Sequence, residues 1–410
     1  MDTSSPITID ESSLRYECWR IVAVCFLVAT FGWAFGFYGQ SLYLAELHRL
    51  HGWPASLVSG ATTFFYLFGA AVLVFVAEAV KKFGPRNCLI AGACATAVAA
   101  SSLGQVREAW QLYLANAMLA FGWAGMSLAM INNTLGLWFA RKRGMAISLA
   151  LNGASFGGIA GVPLLVIAIG HFGFPTAMMV AAGVMIALVV PTVLLVVGHP
   201  PLLSGAAVAA TYAPSATHIR KQALRDIAFQ SVTASFAIVL FAQVGFIVHL
   251  IAFLDPVIGR ASAATAIALL TAMAVVGRVM FSTVIDRLNQ RLASALSFLS
   301  QAAALAVLVN FRNEVALIAA CGVFGFSVGN LITLPSLIVQ REFDARSFGV
   351  LVSLQTAIAQ VTYAFGPGVV GVLRDLSGSY TLPFYGCIAL ELTAAVLIMI
   401  RGRHTPSLRS

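Results

Sequence analysis

Charge is scarce in this chain. Charged residues make up 10% of its 410 positions, against 60% hydrophobic, which excludes both a soluble globular protein and a disordered one. Polar stretches are equally scarce. The longest break between apolar runs, Gly198–Ile227, spans about 30 residues, too few for the soluble output domain of a membrane sensor. Clusters of His, Asp or Glu at catalytic or metal spacing are missing from the apolar runs, which argues against a membrane-embedded enzyme and against a resident metal. No phosphate-binding loop occurs either: Gly84–Gly92, GPRNCLIAG, lacks the Gly-Lys-Ser/Thr that would cradle a nucleotide. No cofactor is expected. The six cysteines (Cys18, Cys25, Cys88, Cys94, Cys321, Cys387) lie in or beside apolar runs without metal spacing and read as small hydrophobes. The first 17 residues are polar and partly acidic, without the pattern of a cleavable leader.

Glycine, by contrast, is plentiful, with 35 residues, as membrane-spanning helices tolerate. Twelve apolar segments of spanning length follow one another: 20–43, 55–79, 87–104, 110–138, 144–168, 174–197, 228–253, 262–285, 292–310, 313–338, 347–371 and 381–400. The expected fold is an all-α membrane protein. Its expected parts are a six-helix bundle at 1–198, a cytoplasmic linker at 199–227 with the basic cluster Arg220, Lys221 and Arg225, and a second bundle at 228–410.

The net charge of +9 would suggest nucleic acid in a soluble domain, but here the basic residues sit in short clusters between apolar runs. They are topology signals, and no nucleic-acid partner is expected. The N-terminus, the even-to-odd connections and the C-terminus hold 18 of the 24 Lys and Arg, the opposite side five. Both termini are therefore expected on the cytoplasmic side of a cell (inner) membrane. The halves also repeat. A shift of 203 residues places Gly122 on Gly325, Arg143 on Arg346 and Asn152 on Gln355, and a shift of 205 places Arg86 on Arg291. A duplicated unit inserted twice the same way builds a site where the halves meet.

One basic residue obeys neither rule. Arg278 lies inside the eighth run, eight residues before Asp286, hence roughly 12 Å of helical rise below the polar flank. The hydrocarbon half-thickness is about 15 Å, so the arginine sits near the midplane, where it costs about 2.5–3.5 kcal/mol unless it faces a partner or a watery path. Its planar guanidinium can hold a carboxylate through two parallel hydrogen bonds. No acid lies within one turn of it on this helix, so a carboxylate substrate can serve as its counter-ion. The competing reading is an arginine that snorkels to the interface.

The chain resembles the major facilitator superfamily over nearly its whole length, and within it the monocarboxylate and oxalate/formate-type branch. WFARKRGMAISLALNGASFGG (138–158) is similar to that branch's connection between helices four and five. HGWPASLVSGATTFF (51–65) is similar to its approach to helix two, and AFGPGVVGVLRDLSGSY (364–380) to its pattern between helices eleven and twelve. The resemblance implies two pseudo-symmetric bundles of six helices and a secondary carrier working by alternating access as a monomer. The expected partners are an organic anion, membrane lipid, and protons or a counter-anion. It implies that Arg278 corresponds to the branch's anion-binding arginine. Ala274 stands where the branch has an acid, and Gln40 where it has a lysine. In the loop after helix two, Lys81 replaces the family's acid, so the nearby Glu78 is a candidate gate charge, with Asp286 its counterpart in the second half.

In the resembled family helices one, four, seven and ten line the path, supported by two, five, eight and eleven. Polar residues on these helices are the candidate substrate contacts: Gln40, Tyr66, Asn132, Asn152, Gln243, Asn330 with Thr333, Gln355 and Tyr363. Each has an alternative as an interhelical hydrogen bond. Glu391 on helix twelve is the one acid in mid-span and His249 lies near the end of helix seven. Either is a candidate proton or gating group, or a structural one. Gly153, Gly157 and Gly161 on helix five, and Gly366-Pro367-Gly368 on helix eleven, mark close packing or a hinge. The leading reading is a carrier of a small mono- or dicarboxylate. The alternative is an exporter of amphipathic compounds, with Phe37, Tyr38, Phe64, Phe65 and Phe246 lining a broad aromatic cavity.

Overall fold

In lipid every backbone amide must find its partner within the protein, so apolar runs of this length fold as helices. The computed structural model describes residues 18–139, 142–198, 216–284, 288–331, 333–344 and 347–400, and all their regular elements are helical. A helical rod stands at each expected apolar run. The first six are α1 (Trp19–His51), α2 (Ala55–Leu73), α3 (Pro85–Leu103), α4 (Ala109–Leu135), α5 (Arg143–Phe172) and α6 (Phe174–Val196). The others are α7 (Ile227–Ile258), α8 (Arg260–Val284), α9 (Gln290–Asn310), α10 (Glu314–Glu342), α11 (Phe348–Ser377) and α12 (Thr381–Leu397). Among the described residues ten helices are long and apolar enough to cross a membrane; α12 is apolar but 17 residues long, and α3 is more polar. Leu195, Val315, Leu376 and Val396 point outward and exposed, as a lipid-facing surface requires.

Two boundaries move in an informative way. α1 runs on to His51, well past the expected end at 43, because Glu46 is fully buried and charge-paired, and the helix stops only where Gly52 turns left-handed at φ 66°. α2 stops at Leu73, and a turn at Val74–Phe75 separates it from a short helix, Val76–Phe83, that carries Glu78.

Backbones approach closely along several seams. Gly153 and Gly157 of α5 lie against the carbonyls of Phe26 and Thr30 in α1, where an added Cβ would collide. Gly366 of α11 meets the Phe241 carbonyl of α7 in the same way. Between α8 and α10, Gly277 faces the Phe326 carbonyl, and Gly325 and Gly329 face those of Leu270 and Ala274. The glycine pattern legible in the sequence is thus a packing pattern. α1 and α5 each also contain one π-helical turn, Ala34–Tyr38 and Gly157–Gly161.

Near the start of α9, Arg291 is buried and fully engaged. Its Nε and Nη2 bind the Glu342 carboxylate at 2.7 and 2.8 Å. Nη1 donates to Ser231 Oγ and to the carbonyls of Ile398 and Ile400, and Nη2 to the Ala228 carbonyl. One side chain therefore joins α7, α9, α10 and the end of α12. Charge counting treats Arg291 as a topology signal; its burial shows a structural hub as well.

Candidate functional site

The helices before residue 199 meet those after 215 most closely at the end of the molecule where α1 finishes and α2 begins. Glu46 of α1, which is 0% exposed, pairs with Arg49 at 2.9 Å and with Arg260 at the start of α8. Arg260 also reaches Asp255 at 3.2 Å. Ser41 Oγ accepts the Ile251 amide of α7 at 3.0 Å. The first turn of α2 follows Pro54, whose side chain caps nothing. Asp375 of α11 supplies the missing acceptor, taking hydrogen bonds from the amides of Ala55 at 3.2 Å and Ser56 at 2.7 Å. A carboxylate at a helix N-terminus satisfies orphan amides and the positive end of the helix dipole together. Further in, the Gly368 amide donates to Thr63 Oγ1 at 3.1 Å.

Below this closed end the structure gathers four of the expected site residues around one that the sequence reading placed only in the aromatic alternative. That residue is Tyr38, the last of the π-helical turn in α1 and buried. It lies within electrostatic range of both the Arg278 guanidinium and Tyr66. Tyr66 of α2 stands edge-on to Tyr363 of α11, with ring centroids 5.6 Å apart and planes at 83°, and borders Phe37 at 6.4 Å. Gln40 joins through Thr62, one turn before Tyr66: the Thr62 hydroxyl donates to Gln40 Oε1 at 2.9 Å. That bond leaves the Gln40 Nε2 donor buried and unpartnered. The Tyr66 hydroxyl and Arg278 Nε are likewise buried without a hydrogen-bond partner. Among the described residues no carboxylate pairs with Arg278.

Unmet donors therefore dominate this cluster, an arrangement that suits an anion. The backbone explains why Tyr38 escapes a helical-wheel reading. An extra residue in the π-helical turn rotates everything after it relative to a regular 3.6-residue helix. Gly158 of α5 completes the floor, since a Cβ there would meet Tyr38 Cε2 and the Thr271 methyl of α8.

The other expected residues fall elsewhere. Asn330 on α10 and Gln355 on α11 are buried, each with one unpartnered side-chain atom, Oδ1 and Nε2 respectively. Asn132 on α4 is half-buried with Oδ1 unpartnered, while its carbonyl accepts from Arg143 at 3.2 Å. Thr333 donates back to the Asn330 carbonyl. Gln243 turns away from the cluster: its Oε1 accepts from Gln301 Nε2 of α9 at 3.3 Å. Asn152 is exposed.

Both nitrogens of the buried His249 are occupied. Nε2 donates to the Pro367 carbonyl at 3.0 Å, so the neutral ring accepts the Tyr380 hydroxyl at Nδ1, 3.1 Å away. These two bonds tie α7 to α11 and to Tyr380 at the start of α12. Glu391 is completely buried with both oxygens unpartnered, on α12 near Cys387, whose thiol points to the Ala242 carbonyl of α7. Glu78 is exposed and forms no ion pair among the described residues. Asp286 lies outside the described residues.

Among the described residues, ten helices of membrane-crossing length, seams of small residues and a polar cluster among the helices fit a membrane carrier. The sequence model of the Major Facilitator Superfamily matches residues 22–367. The chain belongs to that superfamily, whose members are transporters and not enzymes, and it is a multi-pass membrane protein. It is 26% identical to the MFS-type transporter pynF of Aspergillus niger over 431 aligned positions, covering 100% of this chain and 93% of that protein. It is 24% identical to MFS-type transporter 1 of an Ophiocordyceps species, covering 94% and 85%. A shorter match, 33% over 82 residues and 20% of this chain, is to a Thauera aromatica protein named "Putative anionic 4-hydroxy-benzoate permease". Among solved structures, a bacterial homolog of the human lysosomal transporter Spinster, inward-facing and occupied, superposes with a TM-score of 0.69 over 92% of this chain and 95% of its own, at 14% identity.

Proposed function

We propose that this chain is a secondary carrier that moves a small organic anion, a mono- or dicarboxylate, by rocking two six-helix halves, 1–198 and 228–410, joined by the linker 199–227. Arg278 holds the carboxylate. The observation that carries this reading is a guanidinium deep in α8 with no carboxylate partner among the described residues and a buried, unpartnered Nε. A permanent charge there is costly unless something fills the place of a counter-ion. Gln40 and Tyr66 offer further donors beside it.

The motif likeness to the monocarboxylate and oxalate/formate-type branch supports the same reading, as does the anionic substrate in the name of the Thauera aromatica relative. Ala274 and Gln40, in place of that branch's acid and lysine, favour exchange or the substrate's own gradient over proton coupling through those positions. With both termini cytoplasmic in a cell membrane, as the charge bias favours, the closed end faces outward. Uptake into proteoliposomes with a panel of labelled carboxylates, with and without a pH gradient, tests the function. Absence of uptake, exchange or binding for every carboxylate removes the anion reading.

A further inference from the structure

The proposed anion reading leaves the body of the substrate open, and the aromatic surroundings of Arg278 bear on it. Phe37, Tyr38, Tyr66 and Tyr363 come from three helices on both sides of the chain's midpoint. They approach with ring centroids 5.1 to 6.4 Å apart and planes 60° to 90° from parallel. Such edge-to-face sets accept another ring at the same spacing. The hydroxyl of Tyr66, whose side chain is 4% exposed, is wholly buried without a hydrogen-bond partner. If the rings served only to fill space, phenylalanine would do so without stranding a hydroxyl. A short aliphatic carboxylate at Arg278 would leave that hydroxyl unused.

Resting on that reading of Arg278, we infer that the transported anion is an aryl carboxylate bearing a polar ring substituent, its ring seated among Tyr38, Tyr66 and Tyr363 and its carboxylate on Arg278. Edge-to-face contact gives preference for a flat ring over a puckered one. The buried, unpartnered Tyr66 hydroxyl meets the ring substituent. Because Tyr66 and Tyr363 belong to α2 and α11, a ring packed against both touches both halves at once, so occupancy bears directly on their relative position.

Binding to the purified full-length protein in detergent, measured by calorimetry, separates the possibilities with six probes: benzoate, a hydroxybenzoate, cyclohexanecarboxylate, acetate, oxalate and phenol. The expected result is that benzoate binds about tenfold more tightly than cyclohexanecarboxylate, the worth of one good aromatic pair, and that the hydroxybenzoate binds more tightly still. Y66F should cost the hydroxybenzoate about 3- to 10-fold, one hydrogen bond, and cost benzoate less; an equal loss for both would remove the ring substituent from the Tyr66 hydroxyl. Y363F is the second variant, and unchanged melting temperatures confirm that both fold. Equal binding of benzoate and cyclohexanecarboxylate, or binding of acetate and oxalate alone, overturns the aryl inference and leaves the anion reading standing. Phenol binding as tightly as the hydroxybenzoate overturns both, since the charge would then go unused, and so does failure of every carboxylate to bind.

Discussion

The Asp375 carboxylate caps a helix that begins 320 residues earlier, accepting the amides of Ala55 and Ser56 at 3.2 and 2.7 Å. Arg374 braces it at 3.0 Å. The acceptor belongs to α11 and the donors to α2, so the bond exists only while this end is closed. Asp375→Ala should weaken it by about 0.5–2 kcal/mol, the usual worth of a cap, and so raise the open population at this end about 2- to 30-fold. Spin labels at positions 51 and 379 in a cysteine-free background should report longer distances in the variant. An unchanged distance distribution would show that the cap does not govern opening.

Arg278→Lys keeps the charge but loses the planar fork that matches a carboxylate. We expect uptake or exchange of the substrate to fall about 30-fold or more, the equivalent of about 2 kcal/mol lost from a charge-assisted pair. The amount of protein in the membrane should not change. Transport at the unsubstituted rate would remove Arg278 from the site.

His249 is held by a carbonyl on one nitrogen and a phenol on the other. Tyr380→Phe should therefore lower stability by about 1 kcal/mol, read as a lower melting temperature in detergent. Its pH profile of transport should superpose on that of the parent protein. A displaced profile would return His249 to the proton pathway.

Arg291→Ala would strip one carboxylate, one hydroxyl and three carbonyls of their donor at a buried site. Losing one partner of such a pair costs about 3–5 kcal/mol, so the folded yield should collapse. Glu342→Gln keeps an acceptor in place and should be milder. Comparable yields for Arg291→Ala and the parent protein would mean that the hub is dispensable.

The twelve rods were legible because each apolar run is long and the polar breaks are sharp. Arg278 was legible for the same reason, as the break in one such run. Position along the sequence says little about partners, however. Glu46 falls beyond the expected end of the first apolar run and Arg260 between the seventh and eighth, and only the fold brings them together. The pattern containing Asp375 is visible in the sequence, but its function as a cap requires α2 to lie beside it. Tyr38 escapes because helical spacing is counted at 3.6 residues per turn and α1 departs from that at Ala34–Tyr38. Gln243 is the opposite case. It sits on an expected lining helix, but a second amide on α9 takes it.

The seam between α8 and α10 has a consequence for how the arginine travels. Gly277, the residue beside Arg278, lies directly against the Phe326 carbonyl, and Gly325 and Gly329 press α10 onto α8 on either side. Two backbones in such contact have no side chains to reorient and no gap to take up. The guanidinium cannot be drawn toward a substrate by a local bend of α8 alone, because α10 has to come with it. The proposed anion site is thus anchored to a closely packed pair of helices, so that a pull on a ligand at Arg278 would be felt along both.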